Sequence, residues 1–145
     1  MLVIGIDPGS SGAICGIDEH GLLIHKLSGT EKDAREFLCE FGSDPKDSFA
    51  YIERVHSMPK QGVSSVFKFG QSYGFLRGLL IGLGIPFEEV TPQKWQKAMG
   101  CMSKGDKNVT KAKAQQLFPG VKVTHAIADA LLIAEYGRRV RSGEL

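Results

Sequence analysis

An apolar run that ends on a carboxylate and then breaks on glycines constrains this chain most: Leu2-Val3-Ile4-Gly5-Ile6-Asp7-Pro8-Gly9-Ser10-Ser11-Gly12-Ala13. Run and break together predict a strand that delivers Asp7 to one edge of a sheet. Pro8 and Gly9 then turn the chain, and Gly12-Ala13-Ile14-Cys15-Gly16-Ile17 starts a second strand. No bulky side chain crowds the space beside the carboxylate, which suits a metal-phosphate group. Two further isolated acids stand in comparable settings: Glu53 in Ala50-Tyr51-Ile52-Glu53-Arg54-Val55, and Asp129 in His125-Ala126-Ile127-Ala128-Asp129-Ala130-Leu131-Leu132.

The length of 145 residues suits one compact domain, residues 1–145, with a core of its own. No apolar run approaches the roughly 18 residues of a membrane span, and no basic leader precedes the first strand. Cys15, Cys39 and Cys101 are widely spaced and form no CxxC pair, so they read as reduced thiols in the cytoplasm. Net charge is only +2, but residues 1–53 carry four basic and ten acidic side chains, whereas residues 91–145 carry ten basic and four acidic. Between Lys94 and Lys122 seven lysines stand against a single acid, Asp106. A basic half beside an acidic cluster suits a polyanion held near metal ions. A solvated lysine face accounts equally for the run taken alone.

Leu2–Ile6, Ala13–Ile17 and Leu22–Leu27 read as an antiparallel meander. Thr30 caps a predicted helix with Ala34, Phe37, Leu38 and Phe41 on its apolar face. Phe49–Val55 is a fourth strand, reached by a crossover that lets it run parallel to the first. Residues 56–68 read as a polar linker, and a helix is predicted from about Gly70 to Leu83, ended by Gly84. Its glycines at 70, 74, 78 and 82 recur every four residues and form one slowly drifting stripe. Such glycines weaken a helix by about 1 kcal/mol each relative to alanine, so the stripe implies close backbone packing against the sheet or another helix. Pro86–Val90 is a fifth strand. A short helix containing Trp95, a glycine-containing loop, a helix over Val109–Phe118 and a last helix over His125–Arg139 complete the chain. The expected architecture is α/β, a mixed five-stranded sheet flanked by helices.

Three carboxylates brought to one spot would repel each other unless a cation neutralised them. Oxygen ligands favour Mg²⁺ or Mn²⁺, and with a phosphate as a further ligand the natural chemistry is two-metal phosphodiester hydrolysis. Each acid also has a plainer reading: Asp7 as a turn cap, Glu53 paired with Arg54 or a lysine, and Asp129 as an anion favoured near a helix N-terminus.

Four segments in register, Ile-Gly-Ile-Asp-Pro-Gly, Tyr-Ile-Glu, Val-Thr-Pro-Gln-Lys-Trp and Ala-Asp-Ala-Leu-Leu-Ile-Ala, resemble RuvC-type Holliday junction resolvases of the RNase H-like superfamily. The stretch Phe-Lys-Phe-Gly-Gln-Ser-Tyr-Gly and the small size resemble a bacteriophage-type member. The resemblance implies an RNase H-like sheet, three antiparallel strands and then parallel ones. It implies a metal-dependent endonuclease on four-way DNA junctions, with two Mg²⁺ or Mn²⁺ ions per site, working as a C₂ homodimer in a bacterial cell or phage-infected host. Asp7 resembles the metal-bridging first-strand aspartate, Glu53 the second-strand glutamate and Asp129 the last acid. The usual fourth ligand one turn earlier falls on Ala126, which cannot ligate. His125, four residues before Asp129 and on its face, resembles the histidine that some members use there.

The same resemblance places a lysine near the scissile phosphate. Lys107 matches best, with Lys104, Lys111 and Lys113 around the glycine loop and the following helix as backbone contacts. Phe67 and Phe69 flank Lys68, an arrangement suited to stacking on unpaired bases, and an aromatic of this loop acts in RuvC proteins as a wedge at the junction centre. Packing of either Phe on the helix is the plainer reading, and Trp95 reads as core. The rival functions are a flap or RNA–DNA hybrid nuclease, and a junction-binding protein with an impaired site.

Overall fold

The computed structural model describes residues 1–41, 44–54 and 62–145. Five strands are present: β1 (Leu2–Asp7), β2 (Ala13–Asp18), β3 (Gly21–Lys26), β4 (Ser48–Glu53) and β5 (Phe87–Val90). They form one sheet in the order β3-β2-β1-β4-β5. β1 pairs antiparallel with β2, and β2 with β3. β1–β4 and β4–β5 are parallel. This is the mixed sheet that the sequence predicts. The fourth strand ends at Glu53; Val55, and residues 56–61 of the expected linker, lie outside the described residues.

Helices α1 (Glu31–Phe41), α2 (Val63–Leu83), α3 (Pro92–Ala98), α4 (Lys107–Leu117) and α5 (His125–Ser142) cover the sheet. Their starts follow local chemistry. Thr30 and Asp33 cap α1 reciprocally, each backbone N–H donating to the other's side chain at 3.1 Å. Thr91 accepts from the Lys94 N–H with Pro92 in the first turn of α3. Asp106 accepts from Asn108 at the start of α4, which places Lys107 in its first turn, two residues before the predicted start.

Strand parity sorts the core into two halves. Ile4, Ile6, Ile14, Ala50 and Ile52 point to the face covered by α1 and α2, where Ala34, Leu38, Leu76 and Leu80 are buried. Val3, Cys15 and Tyr51 point to the other face, against Leu131, Ala134 and Tyr136 of α5 and against Trp95. Because side chains alternate along a strand, Gly5 and Asp7 share the α5 face with Val3, and Glu53 shares it with Tyr51. Gly5 is required there: a Cβ on it would overlap the backbone nitrogen of Ala134 and lie 2.6 Å from the Ala130 oxygen. α5 therefore rests directly on the β1 backbone.

Two expectations for α2 need correction. It begins at Val63, because nothing from Val63 to Phe69 breaks a helix and Gly62 serves as N-cap. Phe67, Lys68 and Phe69 are thus helical, not part of a linker. Among the described residues the glycine stripe packs against nothing, since a Cβ at Gly70, Gly74, Gly78 or Gly82 would meet no atom within 4 Å. The helix buries Leu76 and Leu80 instead and turns the glycines outward. Gly84 ends the helix as predicted, left-handed at φ 72°. Among the described residues no helix is long and apolar enough to cross a membrane.

Candidate active site

The parallel register sets Ile6 beside Ile52, so Asp7 and Glu53, one residue further on each strand, leave the sheet side by side. Asp129 lies in the second turn of α5, one residue before the Ala130 carbonyl that touches Gly5. Two strands and one helix thus deliver three acids to one place, and their charges act on each other. Burial first, then the charges of Glu53 and Asp129, hold Asp7 well above the ordinary carboxylate range, with Lys107 pulling the other way. Burial pushes Glu53 up to about 7; a hydrogen bond from Trp95 opposes this and Asp129 adds to it. Asp129 is also raised by burial, offset by a hydrogen bond to Thr110 and by the charges of Lys107 and His125.

Supporting groups fix two of these acids. The Trp95 indole, fully buried on α3, donates from Nε1 to Glu53 Oε2 at 2.7 Å. The buried Thr110 hydroxyl lies between Asp129 and the Lys107 carbonyl oxygen, 3.2 Å from the latter. With one proton it donates to one of them at a time. Sequence reasoning missed both roles. Trp95 reads as core, and is core; only its indole N–H serves the site. Thr110 showed itself only as a polar residue on the face of α4 that also buries Ala114.

The expected ligands meet unequally. Asp7, Glu53 and Asp129 converge, whereas His125 is exposed at the first position of α5 and acts on Asp129 alone of the three. Among the described residues no three His, Cys, Asp or Glu side chains close round a single ion. The donor set is nevertheless all carboxylate at its centre, partly buried and mutually repelling, which fits oxygen-preferring divalent cations.

Lys107 stands against the acids, and Lys111 follows it one helical turn along α4. Lys104 precedes them in the Ser103–Gly105 turn with φ 50°. Lys113, about 240° round the helix from Lys107, lies beside Cys101. On α2, Phe67 and Phe69 fall about 200° apart and so face opposite ways. Phe69 covers the turn after Asp7: a Cβ on Gly9, itself at φ 109°, would come within 2.9 Å of its ring, and the Gly9 N–H donates to Ser72 Oγ. Phe67 is 65% exposed. Beside this turn a cavity of about 460 Å³ opens between α1 and α2, with Ser10, Lys68, Phe69 and Gln71 in its wall.

Comparison with known proteins agrees with this architecture. No family model matches the chain. It is 31% identical over 98 residues to the chloroplastic Holliday junction resolvase MOC1 of Chlamydomonas reinhardtii. That match takes in 63% of this chain but 11% of the relative, so the chain spans about a tenth of its length. Two structures of Thermus thermophilus RuvC, one of them in complex with a Holliday junction substrate, superpose with a TM-score of 0.64. The likeness takes in 99% of this chain and 96% and 97% of theirs, at 18% and 19% identity. The fold is that of RuvC.

Proposed function

We propose that this protein is a metal-dependent endonuclease that resolves four-way DNA junctions. The observation that carries the reading is the convergence of Asp7, Glu53 and Asp129, three partly buried acids, all raised by burial and two of them, Asp7 and Glu53, also by neighbouring acids. Such a cluster opposes folding unless cations neutralise it. The likeness to RuvC in fold and to a Holliday junction resolvase in sequence supports the substrate class.

Asp7, Glu53 and Asp129 would hold the divalent ions, with His125 as a further ligand beside Asp129. Mg²⁺ or Mn²⁺ there supplies Lewis-acid activation for phosphodiester hydrolysis. The chain's own residues do the rest. Lys107, already against Asp7 and Asp129, puts a cation where negative charge builds on the phosphate. Lys104, Lys111, Lys113 and Lys68 hold the flanking backbone. Phe67, the exposed aromatic, takes the wedge role at the open centre of the junction, while Phe69 fixes the turn beside Asp7. A second copy docks on the outer face of α2, where Gly70, Gly74, Gly78 and Gly82 adjoin exposed Val63 and Ile81, giving two sites for two symmetric cuts.

The deciding experiment is Asp7→Asn on a synthetic four-way junction with Mg²⁺ or Mn²⁺, beside a flap and an RNA–DNA hybrid. Cleavage should fall at least about a hundredfold, in line with the loss of a key electrostatic group, while junction binding persists through the lysines. A mutant that cuts at near wild-type rate removes Asp7 from the chemistry, and faster cutting of hybrid or flap by the wild type moves the substrate.

A further inference from the structure

The chain between α3 and α4 folds back on one side chain. Gln96 Oε1 accepts from both the Ser103 N–H and the Ser103 hydroxyl, each at 3.2 Å, which occupies both lone pairs of the amide oxygen. The Gln96 backbone oxygen accepts from the Cys101 N–H at 2.9 Å. From Ser103 the bonds continue forward. Its hydroxyl oxygen accepts from the Gly105 N–H at 3.3 Å, and its carbonyl oxygen from the Asp106 N–H at 2.9 Å. Asp106 in turn caps α4, whose first residue is Lys107. Within this turn stands Lys104, the only non-glycine at positive φ, 50°, among the described residues. A lysine gains nothing locally from left-handed backbone, so the conformation persists only where surrounding bonds over-determine it.

Resting on the reading of Lys104 and Lys107 as groups that meet the phosphates, we propose that Gln96 is a positioning residue that holds the turn over residues 103–106 closed before DNA arrives. The turn sets the backbone of Lys104 and the point at which Lys107 enters α4, against Asp7 and Asp129. α3 then fixes both halves of the site, since Trp95, next to Gln96, holds Glu53. Cations fixed beforehand cost no reorganisation when negative charge builds on the phosphate. The two bonds to Gln96 Oε1 are worth roughly a factor of ten in an equilibrium. Without them the left-handed backbone of Lys104 loses its support, and the start of α4 loosens with it.

The test separates the turn from the chemistry. Gln96→Met keeps the length of the side chain and removes the acceptor, whereas Gln96→Glu keeps an acceptor oxygen in the same place. Amide hydrogen exchange at Ser103 and Asp106, measured without DNA or metal, should quicken about tenfold in Gln96→Met and return towards wild type in Gln96→Glu. Single-turnover cleavage of a synthetic four-way junction, at saturating enzyme and Mg²⁺ or Mn²⁺, should fall about tenfold in Gln96→Met. Junction affinity should stay within about threefold of wild type, held by Lys68 and Lys111. Gln96→Glu should recover most of the rate. Ser103→Ala, which loses only the hydroxyl, should give smaller losses in both readouts, and it replaces Gln96→Met if that variant does not fold. Unchanged exchange shows that Gln96 does not hold the turn, and quickened exchange at an unchanged rate shows that the turn does not position the lysines. Either result overturns the proposal, as does a Gln96→Glu protein no faster than Gln96→Met. A wild type that cuts no four-way junction refutes the endonuclease reading, and the proposal with it, whatever the exchange shows; the other failures leave that reading standing.

Discussion

Asp7 and Glu53 stand side by side on parallel strands, both partly buried and both raised in pKa, so the metal-free protein carries its own destabilising charge. The sign follows from linkage. Glu53 titrates near 7 when folded against an ordinary 4.5, so the folded state holds its proton more tightly than the unfolded state. That contribution to stability is fully present below about pH 4.5 and is lost as pH rises through about 7; Asp7 acts in the same direction. Metal-free protein should therefore melt at a lower temperature as pH climbs from 5 to 7.5. Glu53→Gln and Asp7→Asn should flatten that slope in calorimetry, and saturating Mg²⁺ should restore the wild type but not Asp7→Asn. Slopes identical to wild type in both variants would count against the mutual repulsion. Glu135 works the other way. Burial raises it, but hydrogen bonds from Arg138 and Arg139 outweigh this and lower it, so its contribution is lost only as pH falls, and the acid limb of the same profile belongs to it. His125 is exposed and touches only the Asp129 side of the site. Mg²⁺ prefers oxygen and Mn²⁺ accepts imidazole more readily. His125→Asp should thus raise Mg²⁺-supported cleavage relative to Mn²⁺-supported cleavage, and His125→Ala should weaken binding of either ion. Wild-type behaviour of His125→Ala at limiting metal would remove the histidine from the site.

Strand parity and one glycine explain why the acids meet, and the same elements show what a sequence displays and what it hides. The apolar run to Asp7 and the Tyr51-Ile52-Glu53 alternation are one-dimensional patterns, so both strands and both acids are legible from the chain. Asp129 is legible because a carboxylate amid Ala128, Ala130 and Leu131 has little access to water. The Trp95 and Thr110 contacts are not legible, since each depends on a long-range approach that no spacing encodes. The start of α2 is hidden because Ser64 and Ser65 favour turns and caps over helix interiors; with no proline between Val63 and Leu83 the helix simply continues. Its glycines carry an ambiguity that only three dimensions resolve. Gly5 and Gly78 look alike in sequence, yet a Cβ at Gly5 would run into the α5 backbone and one at Gly78 meets open space. Gly5→Ala should therefore lift α5 and Asp129 away from β1, costing about 1–3 kcal/mol or more by overpacking and most of the cleavage. Gly78→Ala should instead stabilise the subunit by about 0.5–1 kcal/mol, whereas Gly78→Leu should shift the dimer towards monomer in sedimentation. A Gly78→Leu protein that stays dimeric at all concentrations would move the interface off this face.

The uneven charge of the chain is carried into the fold by different elements. β3 and β5 form opposite edges of the sheet. The acidic first third of the chain supplies β3 and α1, which stack through His25 and Phe37. The lysine-rich segment begins at α3, directly after β5. Lys94 is partly spent on Glu88 at 3.5 Å, but Lys104, Lys107 and Lys111 run from the loop onto α4 beside the three acids. A body charged in this way turns its basic side to a polyanion before contact and keeps its acidic side in solvent. The acids of the site are the exception, and on the proposed reading divalent ions offset them before a phosphate approaches. Junction affinity should therefore depend on both kinds of ion, in opposite senses. Monovalent salt weakens binding by counterion competition. If Lys68, Lys104, Lys107, Lys111 and Lys113 each neutralise one phosphate, the logarithmic slope should be about −4 to −5 per subunit. Lys111→Ala should reduce its magnitude by about 1, because Lys111 extends the Lys107 row without belonging to the acid cluster. Lys46→Ala, on the acidic side, should leave it unchanged. Measured in the Asp7→Asn background at fixed Mg²⁺, an unaltered slope in Lys111→Ala would mean that the DNA does not follow α4, and the path would have to be sought along Lys68 and the α1–α2 cleft instead.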